Sequence, residues 1–170
     1  MMWKYTGQNR PDFADEPGPG QESVWDYPRP PALVTTTEHV DVSANYQPIA
    51  SSYSALRVLE TASPPTYYIP RSDINWAMLV EVEGSSFCEW KGVASYYALA
   101  SDPRTPVAWL YANPVEAFAA IHEHASFYPG RVECRVDGEV VQPQPGEFYG
   151  GWITSKVAGP FKGGPGTGHW

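Results

Sequence analysis

Proline and glycine are concentrated at the two ends of the chain, and this distribution confines regular secondary structure to the middle. The 170 residues include 18 Pro and 15 Gly. Runs such as Pro17–Gly20 and Pro28–Pro31 disfavour helix and interior strand, because Pro lacks a backbone N–H and fixes φ. We therefore predict one domain over 1–170, with a core over about 34–141 and irregular arms over 1–33 and 142–170.

The arms nevertheless carry large aromatic side chains, including Trp3, Trp25 and Trp152. Disordered tails are usually poor in aromatic residues, so we expect both arms to pack against the core or against a neighbouring subunit. In the second case the arms exchange between protomers and build a homodimer. The function would then depend on the arms rather than on a cleft.

The pattern of residues in the middle of the chain predicts short strands separated by turns. The predicted strands are Val40–Ser43, Leu56–Leu59, Thr66–Ile69, Met78–Val82, Phe87–Lys91, Ser95–Leu99, Val107–Tyr111, Val132–Val136 and Glu139–Val141. The clearest junction is Asp137-Gly138 between two alternating apolar runs, which predicts a hairpin with a type I′ turn because both turn residues require positive φ.

One helix is indicated after the strand that ends at Tyr111. Asn113 is a suitable cap, Pro114 suits the first helical position, and apolar residues follow at helical spacing over Val115–Ala125. A shorter helical turn is expected over about Ser72–Ala77. One helix among many strands predicts a mainly β, antiparallel fold, either a small barrel or a folded sheet closed on one side by the helix.

The charge and the termini exclude several classes of partner. A formal net charge of −8 argues against duplex nucleic acid and anionic membrane surfaces as partners. Residues 1–8 lack the apolar run of a signal peptide, and no segment approaches the ~18 consecutive apolar residues of a membrane span. We expect a cytoplasmic protein whose partner is a small molecule or a second copy of the chain.

The two cysteines and four histidines do not have metal-ligand spacing. Cys88 and Cys134 are far apart without a Cys-x-x-Cys motif, and His122 and His124 would lie on different sides of the predicted helix. We expect two free buried thiols and no metal or cofactor, with a nucleophilic Cys88 as the minor alternative.

The segment Phe87–Gly92 combines aromatic residues with one Glu and one Lys. If it is a strand, Cys88 and Trp90 share the inner face, while Glu89 and Lys91 share the other face with Phe87. A Lys beside aromatic rings can have a lowered pKa and act as a base, whereas a Lys beside a Glu stays charged.

The core from about Val40 to Val141 resembles the bacterial and fungal family called domain of unknown function 427, which is sometimes labelled nucleotidyltransferase-like. The segments that carry the resemblance are Ala55–Glu60, Pro64–Pro70, Cys88–Tyr97, Ala108–Pro114 and Phe127–Pro129. The arms, with Gly18–Trp25 and Gly159–Gly168, are similar to those of the long bacterial members.

The resemblance implies an Mss4-like, or β-tent, fold in which two sheets lean together. Several β-tent relatives hold zinc with paired Cys-x-x-Cys motifs, which this chain lacks, so no metal site is carried over. The chain also has no acidic pair spaced for two metal ions and no Gly-Ser signature opening a helix, so no nucleotidyltransferase site is predicted.

Two functions follow from the candidate site residues. The first is a binding module with an aromatic-lined cleft for a small polar or anionic ligand, since relatives with this fold use aromatic cages. Its proposed ligand-binding residues are Arg57, Trp90, Trp109 and Tyr111, with Tyr68 in the lining and Lys91 orienting the ligand. The alternative is a small hydrolase or transferase with Glu60, Tyr68 and Lys91 as catalytic residues. A purely structural interpretation is that the charged residues form cross-strand ion pairs and have no role in binding or catalysis. These residues are Arg57, Glu60, Glu89 and Lys91.

Overall fold

The structure is a computed structural model that describes residues 2–170. It is mainly β, with fifteen strands among these residues. The strands are β1 Glu22–Ser23, β2 Ala32–Thr35, β3 Val40–Ala44, β4 Gln47–Ser52, β5 Leu56–Leu59, β6 Thr66–Pro70, β7 Leu79–Cys88, β8 Gly92–Leu99, β9 Asp102–Tyr111, β10 His124–Phe127, β11 Glu133–Val136, β12 Glu139–Val140, β13 Gln142–Pro143, β14 Trp152–Ile153 and β15 Val157–Ala158.

Two antiparallel sheets make up most of the fold. The larger sheet has the order β2-β5-β6-β10-β9-β8-β7, and the smaller has the order β12-β11-β3-β4. The main hydrophobic core contains residues of both sheets, with Val42 and Cys134 of the smaller sheet beside Tyr67 and Leu110 of the larger. The predicted mainly β, antiparallel architecture is confirmed, and the two sheets are compatible with the β-tent arrangement.

The Asp137-Gly138 hairpin is confirmed. Asp137 has φ 49° and Gly138 has φ 82°, so both turn residues have the positive φ of a type I′ turn. The hairpin joins β11 to β12, with Val136 opposite Glu139. Short-range turn chemistry therefore determines this part of the fold.

The predicted main helix is present in a shorter and tighter form. A 3₁₀ helix spans Glu116–Ile121, and Val115 rather than Asn113 occupies its N-cap position. Ala125 belongs to β10, where it pairs with Leu110 and Ile69. Strand pairing satisfies the backbone groups there, so the apolar spacing that favours a helix is overridden by tertiary contacts. The shorter helical turn is also present, as 3₁₀ segments Arg71–Asp73 and Trp76–Met78.

The two arms pack on the core of their own chain and on each other. Strand β1 of the N-terminal arm pairs in parallel with β15 of the C-terminal arm. Trp25 and Trp152 are completely buried, and Trp25 Nε1 donates a 3.2 Å hydrogen bond to the carbonyl of Pro160. Both arms are therefore integral to the packed structure, as their aromatic content indicates.

The helical segments among residues 2–170 are all too short or too polar to span a membrane.

Candidate functional site

A cleft of about 610 Å³ opens on one face of the seven-stranded sheet. Its floor is aromatic: Tyr68 comes from β6, Tyr96 from β8, and Trp109 and Tyr111 from β9. Tyr96 pairs with Trp109, Ala94 with Tyr111, and Tyr68 with Leu56. Directly paired residues share a face of the sheet, so the rings of Tyr96 and Trp109 lie side by side. The ring centre of Tyr68 lies 6.2 Å from that of Trp109 and 6.4 Å from that of Tyr111.

The arms supply the opposite wall of the cleft. Trp3 of the N-terminal arm and Lys162 of the C-terminal arm line it, together with the segment 147–151. Gly150 is needed for this close approach, since a Cβ there would overlap the ring of Trp109. The cleft is thus formed by residues from the sheet and from both arms.

Lys91 lies in the turn between β7 and β8, at the edge of the cleft. The turn ends at Gly92, whose φ of 114° is unfavourable for any residue with a Cβ. The backbone of the turn is bonded to the segment that follows β9, because the amide of Val115 donates a 2.9 Å hydrogen bond to the carbonyl of Lys91. This arrangement fixes the base of a side chain that reaches into the cleft.

The ammonium group of Lys91 is buried and has few partners. The residue is only 9% exposed, and Nζ lies 3.6 Å from Sγ of Cys88 and 5.8 Å from the ring centre of Phe118. Among residues 2–170, no carboxylate forms an ion pair with it. Burial lowers the pKa of Lys91, but the proximity of Tyr68, Cys88 and Glu60 outweighs burial and the pKa is raised. Lys91 is therefore charged at neutral pH.

The hydroxyl groups of Tyr68, Tyr111 and Tyr128 remain protonated at neutral pH. Tyr68 accepts a 3.0 Å hydrogen bond from Trp109 Nε1, and burial raises its pKa although Lys91 opposes this. Burial also raises the pKa of Tyr111, and it raises that of Tyr128 to about 12. These neutral hydroxyl groups can donate hydrogen bonds to a ligand or accept them.

Glu60 lines the same cleft, but its carboxylate forms an ion pair with an arginine. Its Oε2 accepts a 3.1 Å hydrogen bond from Nε of Arg29, whose side chain is almost completely buried. Six of the seven predicted site residues line this one cleft: Glu60, Tyr68, Trp90, Lys91, Trp109 and Tyr111.

Arg57 is the seventh predicted residue, and it lies on the opposite face of the sheet. It pairs with Tyr67 rather than Tyr68, and successive residues of a strand face opposite ways. Its Nη2 forms a 2.6 Å ion pair with Glu22, beside a small second pocket that Lys156 also lines. The expectation that Arg57 joins Lys91 in one site is therefore wrong.

The strand predicted over Phe87–Lys91 is wrong beyond Cys88. Cys88 pairs with Gly92, so the residues between them form a tight turn instead of alternating faces. Glu89 is exposed and makes no ion pair with Lys91, which instead turns back towards Cys88. A turn brings residues i and i+3 together, whereas a strand separates them.

Nothing in the sequence predicts that some of the residues lining the cleft belong to it. Trp3, Tyr149 and Lys162 come from arms that are distant in sequence from the sheet they face. Cys88, expected to be a core thiol, is half-buried and lines the cleft, while Cys134 is buried in the main core; both are free thiols. Among residues 2–170, no group of three or more His, Cys, Asp or Glu side chains is arranged to hold a metal ion.

Comparison with known proteins identifies the family. The family described as "Domain of unknown function (DUF427)" matches residues 32–141, which is more than half of the chain. The chain therefore belongs to this family, as the motifs of the core predict. No curated protein matches the chain. The matched segment contains the aromatic floor of the cleft and Lys91, whereas the residues contributed by the arms lie outside it.

Proposed function

We propose that this member of the DUF427 family is a binding module for a small anionic ligand with an aromatic body. The observation that carries the proposal is the ammonium group of Lys91, which is buried at the edge of an aromatic cleft and forms no ion pair with a carboxylate of residues 2–170. The ligand supplies the missing negative charge, and its body lies against the aromatic floor.

The energetic argument concerns the cost of burying a charge. An ion removed from water without a paired countercharge costs several kcal/mol, so a protein retains one where a ligand or a reaction uses it. Tyr68, Cys88 and Glu60 all favour the charged form of Lys91. Tyr68 and Cys88 are not strong counterions at neutral pH, and Glu60 forms its ion pair with Arg29 rather than with Lys91. A carboxylate or phosphate oxygen fits this position, because it accepts hydrogen bonds from the ammonium and neutralises it.

The walls favour a flat ligand over an extended polar one. Trp109 and Tyr128 have ring centres 4.6 Å apart, and Tyr68 and Tyr111 have ring centres 6.4 Å apart. Aromatic rings at such distances leave faces and edges to which another ring can pack, each pair contributing on the order of 1 kcal/mol beyond burial. A cleft of this size also accommodates a molecule of metabolite size.

Thermal-shift measurements test the proposal with benzoate, phenyl phosphate and the neutral analogue benzamide. We expect the two anions to raise Tm and benzamide to have little effect. Lys91→Met should abolish the difference between anions and benzamide, whereas the exposed Lys4→Met should preserve it. A wild-type protein that responds equally to all three compounds, or a Lys91→Met protein that still prefers the anions, would overturn the proposal.

A second candidate is a hydrolase or transferase that uses Glu60, Tyr68 and Lys91. The observation that favours it is that these three residues line one cleft. The raised pKa of Lys91 suits an electrostatic stabiliser of developing negative charge rather than a base. Turnover of a substrate that persists unchanged in Glu60→Gln and Lys91→Met would exclude this candidate.

Location and assembly form part of the proposal. The free thiols Cys88 and Cys134 suit a reducing compartment such as the cytoplasm. The homodimer built by exchanged arms stays a prediction, and sedimentation of the full chain tests it.

A further inference from the structure

We propose that the ligand of the cleft is a dianion, an aromatic molecule with two separate acidic groups, of which Lys91 holds one and Lys162 holds the other. The inference rests on the proposed function, which assigns the first acidic group to Lys91. It adds a second cation from the C-terminal arm, and it narrows the chemical class of the ligand from an anion to a dianion.

The ammonium group of Lys162 is buried in the wall that the arms supply. The residue is 5% exposed, and Nζ lies 4.6 Å from the ring centre of Trp3 and 5.6 Å from that of Tyr149, which also line the cleft. Among residues 2–170, Lys162 forms no ion pair with a carboxylate side chain, and its one side-chain hydrogen bond is a 3.4 Å contact with the carbonyl of Trp170. Arg29 donates to the same carbonyl at 2.7 Å. An ammonium has three N–H groups, so two remain for an acidic group of a ligand.

The backbone of Lys162 is fixed on both sides, although the residue belongs to an irregular arm. Its amide donates a 2.8 Å hydrogen bond to the carbonyl of Ala62, and its carbonyl accepts a 2.6 Å hydrogen bond from Nε2 of Gln144. Gln144 is itself buried, and its Oε1 accepts a 3.0 Å hydrogen bond from the amide of Gly151. A lysine on such a segment is preorganised for binding, because less conformational entropy is lost when a ligand arrives.

One partly buried carboxylate, that of Glu60, acts on three cations around the cleft. It forms its ion pair with Arg29, and its charge also favours the charged forms of Lys91 and Lys162. Burial and the neighbouring charge of Arg29 nevertheless lower the pKa of Lys162. An acidic group bound beside Lys162 would offset this cost, because a nearby negative charge stabilises the ammonium.

The other carboxylates that line the cleft do not take the place of a ligand. These are Glu89 and Glu147, and both are exposed. Glu89 opposes the lowering of the pKa of Lys162 but does not reverse it. Because solvent and salt screen exposed charges, these two residues neither neutralise the buried ammonium groups nor strongly repel a bound anion.

The two ammonium groups lie at different places in the cleft. Nζ of Lys91 lies beside the sulfur of Cys88 in the turn between β7 and β8, whereas Nζ of Lys162 lies beside the ring of Trp3 in the N-terminal arm. The two lysines share no hydrogen-bond or aromatic partner among residues 2–170. A ligand that supplies a countercharge to both therefore carries two acidic groups, separated by the body that lies in the cleft.

Isothermal titration calorimetry tests the inference with aromatic dicarboxylates and their monomethyl esters, which keep the ring and lack one charge. The dicarboxylates are isophthalate, terephthalate and biphenyl-4,4′-dicarboxylate, which differ in the separation of the acidic groups. We expect the wild-type protein to bind at least one dicarboxylate about tenfold or more tighter than its ester, which is the effect of one charge-assisted hydrogen bond. The net charge of −8 disfavours a second negative charge elsewhere on the protein, so this preference reports on the cleft.

Three variants locate the second acidic group. Lys162→Met should abolish the preference for the dicarboxylate, because Met keeps the aliphatic part of the side chain without the charge. Lys162→Arg should restore much of the preference, because it keeps a positive donor. Lys4→Met, which removes an exposed charge outside the cleft, should leave the preference unchanged. The comparison of each dicarboxylate with its ester in the wild-type protein does not depend on the folding of any variant.

The inference and the proposed function fail in different ways. A wild-type protein that prefers no dicarboxylate to its ester, or a preference that persists in Lys162→Met, would overturn the inference. Benzoate binding that depends on Lys91 would leave the proposed function intact in either case. Dicarboxylate binding that depends on Lys162 but is unchanged in Lys91→Met would refute both, since both assign an acidic group to Lys91.

Discussion

Nε of Arg29 lies 3.1 Å from Oε2 of Glu60, and this partly buried ion pair connects the N-terminal arm to the edge of the cleft. The same guanidinium donates to the backbone carbonyl groups of Tyr5, Thr61 and Trp170. It also lies 4.0 Å from the ring centre of Trp3. One side chain therefore joins both arms to the segment that directly follows β5.

Replacing Arg29 should strongly destabilise the protein. Arg29→Met leaves Glu60 without its partner and removes donors from three carbonyl groups, so we expect a loss of about 3–5 kcal/mol in the free energy of unfolding. Equilibrium urea unfolding measures the loss. Arg104→Met is the matched control, because Arg104 is exposed and, among residues 2–170, pairs only with nearby Asp102. Its effect should be within about 0.5 kcal/mol. A loss for Arg29→Met as small as for Arg104→Met would contradict the role assigned to it.

The C-terminal arm should contribute to stability through Trp152. This side chain is completely buried, packs 5.0 Å from the ring centre of Tyr67, and donates a 2.9 Å hydrogen bond to the carbonyl of Phe127. We expect Trp152→Ala to cost about 3–5 kcal/mol and Trp152→Phe less, since Phe retains most of the packing but not the donor.

The control for Trp152 is Phe148→Ala in the same arm, where the side chain is 79% exposed. Its effect in urea unfolding should be within about 0.5 kcal/mol. Equal effects of Trp152→Ala and Phe148→Ala would show that the arm is not part of the cooperative unit.

The hairpin turn should be sensitive to loss of glycine. Gly138 has φ 82°, and nothing lies within 4 Å of the position of a Cβ, so Gly138→Ala has a conformational cost but no steric one. We expect a loss of about 1–2 kcal/mol in thermal or urea unfolding. Gly164→Ala is the control, because its Cβ position is equally open and its φ is not in the left-handed region. Similar effects of the two substitutions would refute this assignment of the turn.

Acid should destabilise the protein partly through Glu38. Burial raises the pKa of Glu38, but hydrogen bonds from Lys156, Thr36 and Tyr67 outweigh it and hold the pKa below its ordinary value of 4.5. The folded state therefore binds protons less readily than the unfolded state. The contribution of Glu38 is complete above pH 4.5 and is lost as the pH falls through the lower, folded-state pKa.

Urea unfolding of Glu38→Gln at pH 7 and at pH 3 measures this effect. The substitution should cost more at pH 7 than at pH 3. Glu83→Gln, an exposed residue of β7 without an ion pair among the described residues, should show little difference between the two pH values. A cost of Glu38→Gln that does not change with pH would contradict the prediction.

Local patterns in the sequence predict many of the elements. Asp137-Gly138 determines a turn because only a few residue types tolerate its dihedral angles. Successive residues of a strand, such as Tyr67 and Tyr68, point to opposite faces of the sheet wherever the strand lies. The helix after Asn113 is less well predicted. Its C-terminal part has helical spacing, but pairing of Ala125 with two neighbouring strands decides its conformation.

The sequence by itself determined the class of the fold, the family, the hairpin and three of the four aromatic residues of the cleft floor, Tyr68, Trp109 and Tyr111, because these depend on alternation, turn chemistry and the order of motifs. The tertiary structure decided which residues meet. It placed Arg57 on the face opposite Lys91, turned Lys91 back onto Cys88 instead of Glu89, and brought Trp3 and Lys162 to the wall of the cleft. These contacts depend on register, on the direction of one tight turn and on chain segments far apart in sequence, none of which is encoded in local residue spacing.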